Sequence, residues 1–132
     1  MKDYYCPSIA GVGYIGKLIQ KDHKREYSIW KHMLHRCYNE YDDNYHKYGF
    51  LGVSVAERWF DFENFVVDIP SIENYDKILF DSKVLQLDKD KKQIDLPIGK
   101  RIYSLETCCF LTAQENLFYS RKNRKVGDIY EI

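Results

Sequence analysis

The chain has 132 residues, is 45% hydrophobic and 30% charged, and contains only 3 prolines. This is the composition of one globular domain, able to bury about two thirds of its unfolded surface without covalent staples. Twenty Lys and Arg balance twenty Asp and Glu, so no global field draws the chain to nucleic acid, and any such binding rests on local patches. The 16% aromatic content includes 12 tyrosines, whose rings serve as core and whose hydroxyls serve as contact surface. No run of 18 apolar residues occurs, which excludes a transmembrane helix by length. The opening MKDYYCPSIAG lacks the apolar segment of a signal peptide. The chain is therefore expected to be intracellular, with no membrane partner and with its 4 cysteines reduced.

Residues 1–23 carry Gly11, Gly13 and Gly16 in the spacing G-x-G-x-x-G. A dinucleotide loop needs a buried strand before it and a crossover helix after it. Neither is present, so the segment reads as an irregular arm. The first helix is predicted over Glu26–Tyr41. Trp30, Met33, Leu34, Cys37 and Tyr41 recur at i, i+3, i+4, i+7 and i+11 as one apolar stripe, with His32, His35, Arg36 and Glu40 off it. A turn-rich stretch, DDNYHKYGFLG, and a short strand in VSVAERW follow. WFDFENFVVDIP reads as a second helix with Trp59, Phe62, Phe65 or Val66, and Ile69 inward, ended by Pro70.

Beyond it, Ile78 with Phe80, Val84 with Leu85, and then Leu87 read as strands, the last closing at Asp88. A loop with Pro97 and Gly99, long for a hairpin, leads to a further strand at Cys109–Leu111. Thr112 and Glu115 form a capping box that starts a helix at Ala113, running to about Ser120 and carrying Asn116. Four basic patches are visible: Lys17–Arg25, Lys89–Lys92, Lys100 with Arg101, and Arg121–Lys125. The ordinary role of such runs is a solvated face. The expectation is one α+β domain: arm 1–23, helical half 24–70, a strand-loop-strand-helix half 78–122, and tail 123–132.

The segments YSIWKHMLHRCYNEY, YGFLGVSVAERWFDFENF, LDKD, YSLETC and TAQENL, in this order from Tyr27 to Lys122, resemble phage-encoded HNH-type homing endonucleases. The resemblance implies N-terminal helices packed on a ββα-metal half, inside the host cytoplasm. It implies DNA as partner and a Mg or Mn ion held by Asp88 and Asn116, which neutralises the scissile phosphate and helps the 3′ oxygen leave. Arg121, Lys122, Arg124 and Lys125 would contact phosphates.

Two positions depart from the pattern. Lys89 stands where a catalytic histidine activates water, and an exposed lysine keeps its proton at neutral pH. Thr107 stands where an asparagine orients that histidine. Lys89 then serves as a phosphate clamp, with Asp90 or Glu106 as alternative bases.

The resemblance also implies a structural zinc. Cys37 and Cys108 match two of its cysteine positions, while Ala56 occupies a third. Cys6 is the replacement, with His35 or Cys109 to complete the set. His35 lies about 200° around a helix from Cys37. Neighbouring strand residues face opposite ways, so one of Cys108 and Cys109 binds and the other is core. The alternative is four thiols packed as small hydrophobes.

Two functions lead, a DNA-binding, nicking endonuclease of HNH type, or a non-catalytic, anti-CRISPR-type inhibitor of a host CRISPR effector nuclease; a plain structural phage domain is a third that no sequence feature excludes. The second is favoured by Lys89 and the absent basic excess, with tyrosines among Tyr38, Tyr41, Tyr45 and Tyr48 at the interface.

Overall fold

The computed structural model describes residues 5–18 and 20–119. Its architecture is α+β, as expected. The first helix, α1, spans Lys24–Tyr38 and buries Trp30, Met33, Leu34 and Cys37. It ends three residues before the predicted Tyr41. Asn39 leaves helical geometry (φ −103°, ψ 103°), and its side-chain oxygen accepts from the amide of Tyr41 at 3.0 Å. This local bond offers the backbone a turn in place of another helical residue. Tyr41 is consequently 87% exposed rather than part of the stripe.

Strand β1, Ser54–Val55, is short, and Trp59 lies in a 3-10 turn, Glu57–Phe60. The second helix, α2 (Phe62–Asp68), is capped by Asp61, whose carboxylate accepts from the amide of Glu63. Trp30 packs on Phe62 at 4.9 Å between ring centroids, and Trp59 packs on Phe65 at the same separation. Both indoles find acceptors: Trp30 Nε1 donates to the carbonyl of Trp59 at 2.7 Å, and Trp59 Nε1 to Asp68 Oδ2 at 2.8 Å. This cluster is the N-terminal core.

The predicted strand at Ile78 and Phe80 is instead a short helix, α3 (Lys77–Asp81), because Asp76 caps it by accepting from the amide of Leu79 at 3.0 Å. Ile78 is left 79% exposed, while Phe80 packs on Phe110. Lys83, at φ 65°, turns the chain into β2, Leu85–Asp88. The next strands are β3, Ile102–Tyr103, and β4, Cys109–Thr112.

Strand β2 pairs antiparallel with β4, placing Asp88 opposite Cys109. The long connection does not hang free, because β3 pairs in parallel with β1 and joins the two halves. Gln93 fixes the same loop. Its side-chain nitrogen donates to the carbonyls of Lys89 and Ile102, and its oxygen accepts from the amide of Ile102 at 3.0 Å.

After β4, residues 113–119 form a helix, α4. The capping box is present. The amide and hydroxyl of Thr112 each donate to Glu115 Oε1 at 3.0 Å, and the amide of Glu115 donates to Thr112 Oγ1 at 3.3 Å.

The arm docks by backbone pairing: the Tyr14 amide donates to the Phe60 carbonyl and the Phe62 amide to the Tyr14 carbonyl. Its glycines serve this packing rather than a phosphate. A Cβ on Gly13 would strike Leu34, and Gly16 (φ 70°) lies against Glu63, whose carboxylate accepts from the Lys17 amide at 2.7 Å.

Candidate functional site

Helix α1 meets the C-terminal half through two arginines. At one end, Arg25 Nη2 donates to the carbonyl of Leu85 at 2.7 Å. At the other, Arg36 Nη2 donates to the Tyr103 hydroxyl at 3.2 Å. Eleven residues separate them, which is roughly 16 Å along a helix. Between these contacts lies a cavity of about 300 Å³. One wall is α1, with Ser28, Ile29 and His32. The opposite wall is β2 and the turn after it, from Gln86 to Asp90, and Tyr48, Tyr103 and Asn116 complete the lining.

The cavity therefore gathers Asp88, Asn116 and Lys89, which the sequence singled out, and brings in His32, Arg25 and Arg36, to which the sequence reading gave no role at this site. A signal for those three existed. Arg25, Ser28, His32 and Arg36 share one face of α1, about 100° or more from the apolar stripe.

Asp88 closes β2 and is 2% exposed. Its Oδ2 accepts from the amides of Asp90 at 3.0 Å and Lys91 at 2.8 Å. Burial raises its pKa, and these amides only partly offset that. Its Oδ1 has no partner. Among the described residues, only two buried side-chain polar atoms are left unpaired, Asp88 Oδ1 and Arg36 Nε. Both residues line this cavity.

The Arg36 guanidinium lies over the rings of Tyr48 and Tyr103, at 5.1 and 5.8 Å. Burial opposes its charge, but the phenolic oxygens of Tyr103 and Tyr48 outweigh it and its pKa rises. Asn116 is placed on α4, where its Nδ2 donates to Gln86 Oε1 at 2.8 Å, leaving its carbonyl oxygen for another partner. Gln86 and Asp88 point to the same face of β2, about 7 Å apart along the strand.

Lys89 is not the exposed cation the sequence suggested. It is 5% exposed, its Nζ donates to Asp90 Oδ1 at 2.7 Å, and it sits over the Tyr48 ring at 4.8 Å. Asp90 also accepts from Arg101 Nη1 at 3.0 Å. Arg101 is 2% exposed, bonded to backbone carbonyls, and no part of a surface patch. Asp90 is thus committed to two cations. Glu106 is exposed and lines no part of the cavity.

Thr107 does not address the Asp88 turn. Its hydroxyl donates to the Ile102 carbonyl at 2.6 Å, and its amide donates to Ser104 Oγ at 3.2 Å, closing the turn before β4.

The zinc candidates do not converge. Cys6 is exposed in the arm, while Cys37 and Cys108 are buried. The His35 ring is paired with Asn39 on α1. Among the described residues no three His, Cys, Asp or Glu form a metal-holding group. Burial pushes the Cys37 thiol up to about 11 and Cys108 to about 12. Both cysteines of the adjacent pair are buried, with Cys109 Sγ 4.0 Å from Asp88 Oδ2.

Arg121, Lys122, Arg124 and Lys125 lie outside the described residues. Of the four tyrosines proposed for an interface, only Tyr41 is exposed. The Tyr38 hydroxyl exchanges bonds with the backbone of Val55, and Tyr48 packs on Arg36.

None of the family models, curated proteins or solved structures compared with this chain matches it. No helix among the described residues is long and apolar enough to cross a membrane.

Proposed function

We propose that this chain is an HNH-like, ββα-metal nucleic-acid-binding protein that cuts a DNA strand at the cavity between α1 and the β2–β4 pair. One observation carries the reading. An unpaired buried carboxylate oxygen (Asp88 Oδ1) and an unpaired buried guanidinium nitrogen (Arg36 Nε) belong to two residues that line the same cavity. Leaving either atom unsatisfied costs about 1–3 kcal/mol, more for a charged group, so the pair asks for a ligand. A cation satisfies the first and an anionic oxygen the second. A phosphodiester with its counter-ion presents both.

Asp88 Oδ1 and the Asn116 carbonyl oxygen are hard donors that fit Mg or Mn, and the ion would neutralise the phosphate and the leaving 3′ oxygen. Arg36 holds a phosphate oxygen, its plane fixed by Tyr48 and Tyr103. Lys89, tied to Asp90, shapes the wall and contacts no phosphate directly.

The test is nicking of supercoiled plasmid with Mg or Mn. Wild type is expected to nick. Asp88→Asn is expected to lose activity, and Arg36→Lys to fall about 100-fold, as when one charge-stabilising donor is removed. Plasmid left intact with every divalent ion tried contradicts the reading.

A second reading, a non-catalytic inhibitor of a CRISPR effector nuclease, is favoured by a different observation. Tyr41, Phe50 and Leu51 are 87%, 72% and 44% exposed within one stretch of chain, apolar area suited to a protein partner. It predicts stable capture of an effector protein without DNA, unchanged by Asp88→Asn.

A further inference from the structure

The nuclease reading leaves one role empty. Lys89 is held by Asp90, and Asp90 is held by Lys89 and Arg101, so the turn after β2 offers no free base. We infer that His32, on the opposite wall, is the general base of this site; the inference rests on the nuclease reading.

His32 Nδ1 lies 2.8 Å from the backbone carbonyl of Ser28, one helical turn back. A carbonyl only accepts, so the neutral ring carries its proton on Nδ1. Nε2 is then the nitrogen with a free lone pair. His32 is exposed and lines the same cavity as Asp88 and Arg36. Arg36 follows four residues later, on the same face of α1. A phosphate held by Arg36 therefore sits beside the histidine's face of the helix, with the leaving-group side toward Asp88 and Asn116.

In the step, a water oxygen attacks phosphorus and its proton passes to Nε2. The bond from phosphorus to the 3′ oxygen breaks, and the leaving oxygen takes a proton from solvent water. The products are a 5′ phosphate and a 3′ hydroxyl. Nε2 returns its proton to solvent, and the Ser28 carbonyl steadies the transient imidazolium through Nδ1.

The experiment compares plasmid nicking by full-length wild type and His32→Ala, with Mn present and with or without added imidazole. His32→Ala is expected to nick about 100-fold more slowly or worse, with its melting temperature and DNA affinity held. Added imidazole is expected to recover part of the rate in His32→Ala and none in Asp88→Asn. Nicking by His32→Ala at the wild-type rate overturns this inference while leaving the nuclease reading intact. A slow variant that ignores imidazole overturns the base role as well. A wild type that never nicks overturns both.

Discussion

Asp68 and Asp88 are both buried carboxylates, 5% and 2% exposed, yet their surroundings push them in opposite directions. Asp68 accepts two bonds from Arg58, at 2.8 and 2.9 Å, and one from Trp59. The Arg58 bonds lower its pKa against the opposing effect of burial, and Trp59 adds to the lowering. The folded value thus lies below the unfolded value of about 3.9. The stabilisation it contributes is fully present above that unfolded value and is lost as pH falls through the folded one. Asp68→Ala is expected to destabilise by about 1–3 kcal/mol at pH 7, because the Trp59 indole loses its acceptor inside the core. The gap from wild type should narrow in melts taken below pH 4. An unchanged gap down to pH 2 would show that packing, not charge, is at stake. Asp88 lacks such a counter-charge: its Oδ1 has no partner, and under the proposed function a metal ion would fill that place.

The elements are set largely by short polar signals at their ends. Asp61, Asp76 and Thr112 start α2, α3 and α4 by accepting from amides in the following turn. The Thr112 box was legible because both its members are three residues apart and precede a helical run. The Asp76 cap was not, since Ile78 and Phe80 alternate as a strand would, and tertiary packing of Phe80 on Tyr75 and Phe110 decided the matter. Tyr41 misled for a related reason: its spacing fits the α1 stripe, but Asn39 ends the helix first. Thr112→Ala is expected to cost about 1 kcal/mol by removing the cap. It should also loosen Asn116, whose bond to Gln86 ties α4 to β2. Chemical denaturation measures the first, and nicking slowed beyond the loss of stability measures the second.

At the scale of the whole molecule, the cavity exists because two distant pieces of chain meet. The apolar stripe of α1 faces the tryptophan core, so its polar face, Arg25 to Arg36, is turned outward. Pairing of β1 with β3 then brings the C-terminal half across it. Asp88 and Asn116 were singled out through the resemblance carried by LDKD and TAQENL, and both line the cavity. His32 and Arg36 were visible only as residues off the stripe, since nothing local says which surface a polar face meets. The burial of Lys89 was equally hidden, because it depends on Tyr48 and Asp90 closing around it. Among the described residues the zinc candidates form no group of three, with Cys6 exposed in the arm and His35 paired with Asn39.

Under the proposed function, Asp88 and Arg36 serve one site for a cation and a phosphate. Anomalous scattering from crystals grown with Mn and a short DNA duplex tests it directly. One strong peak is expected, bonded to Asp88 Oδ1 and the Asn116 side chain, with a phosphate oxygen against Arg36 Nε. A peak elsewhere, among the cysteines for example, or no peak in this cavity, would contradict it.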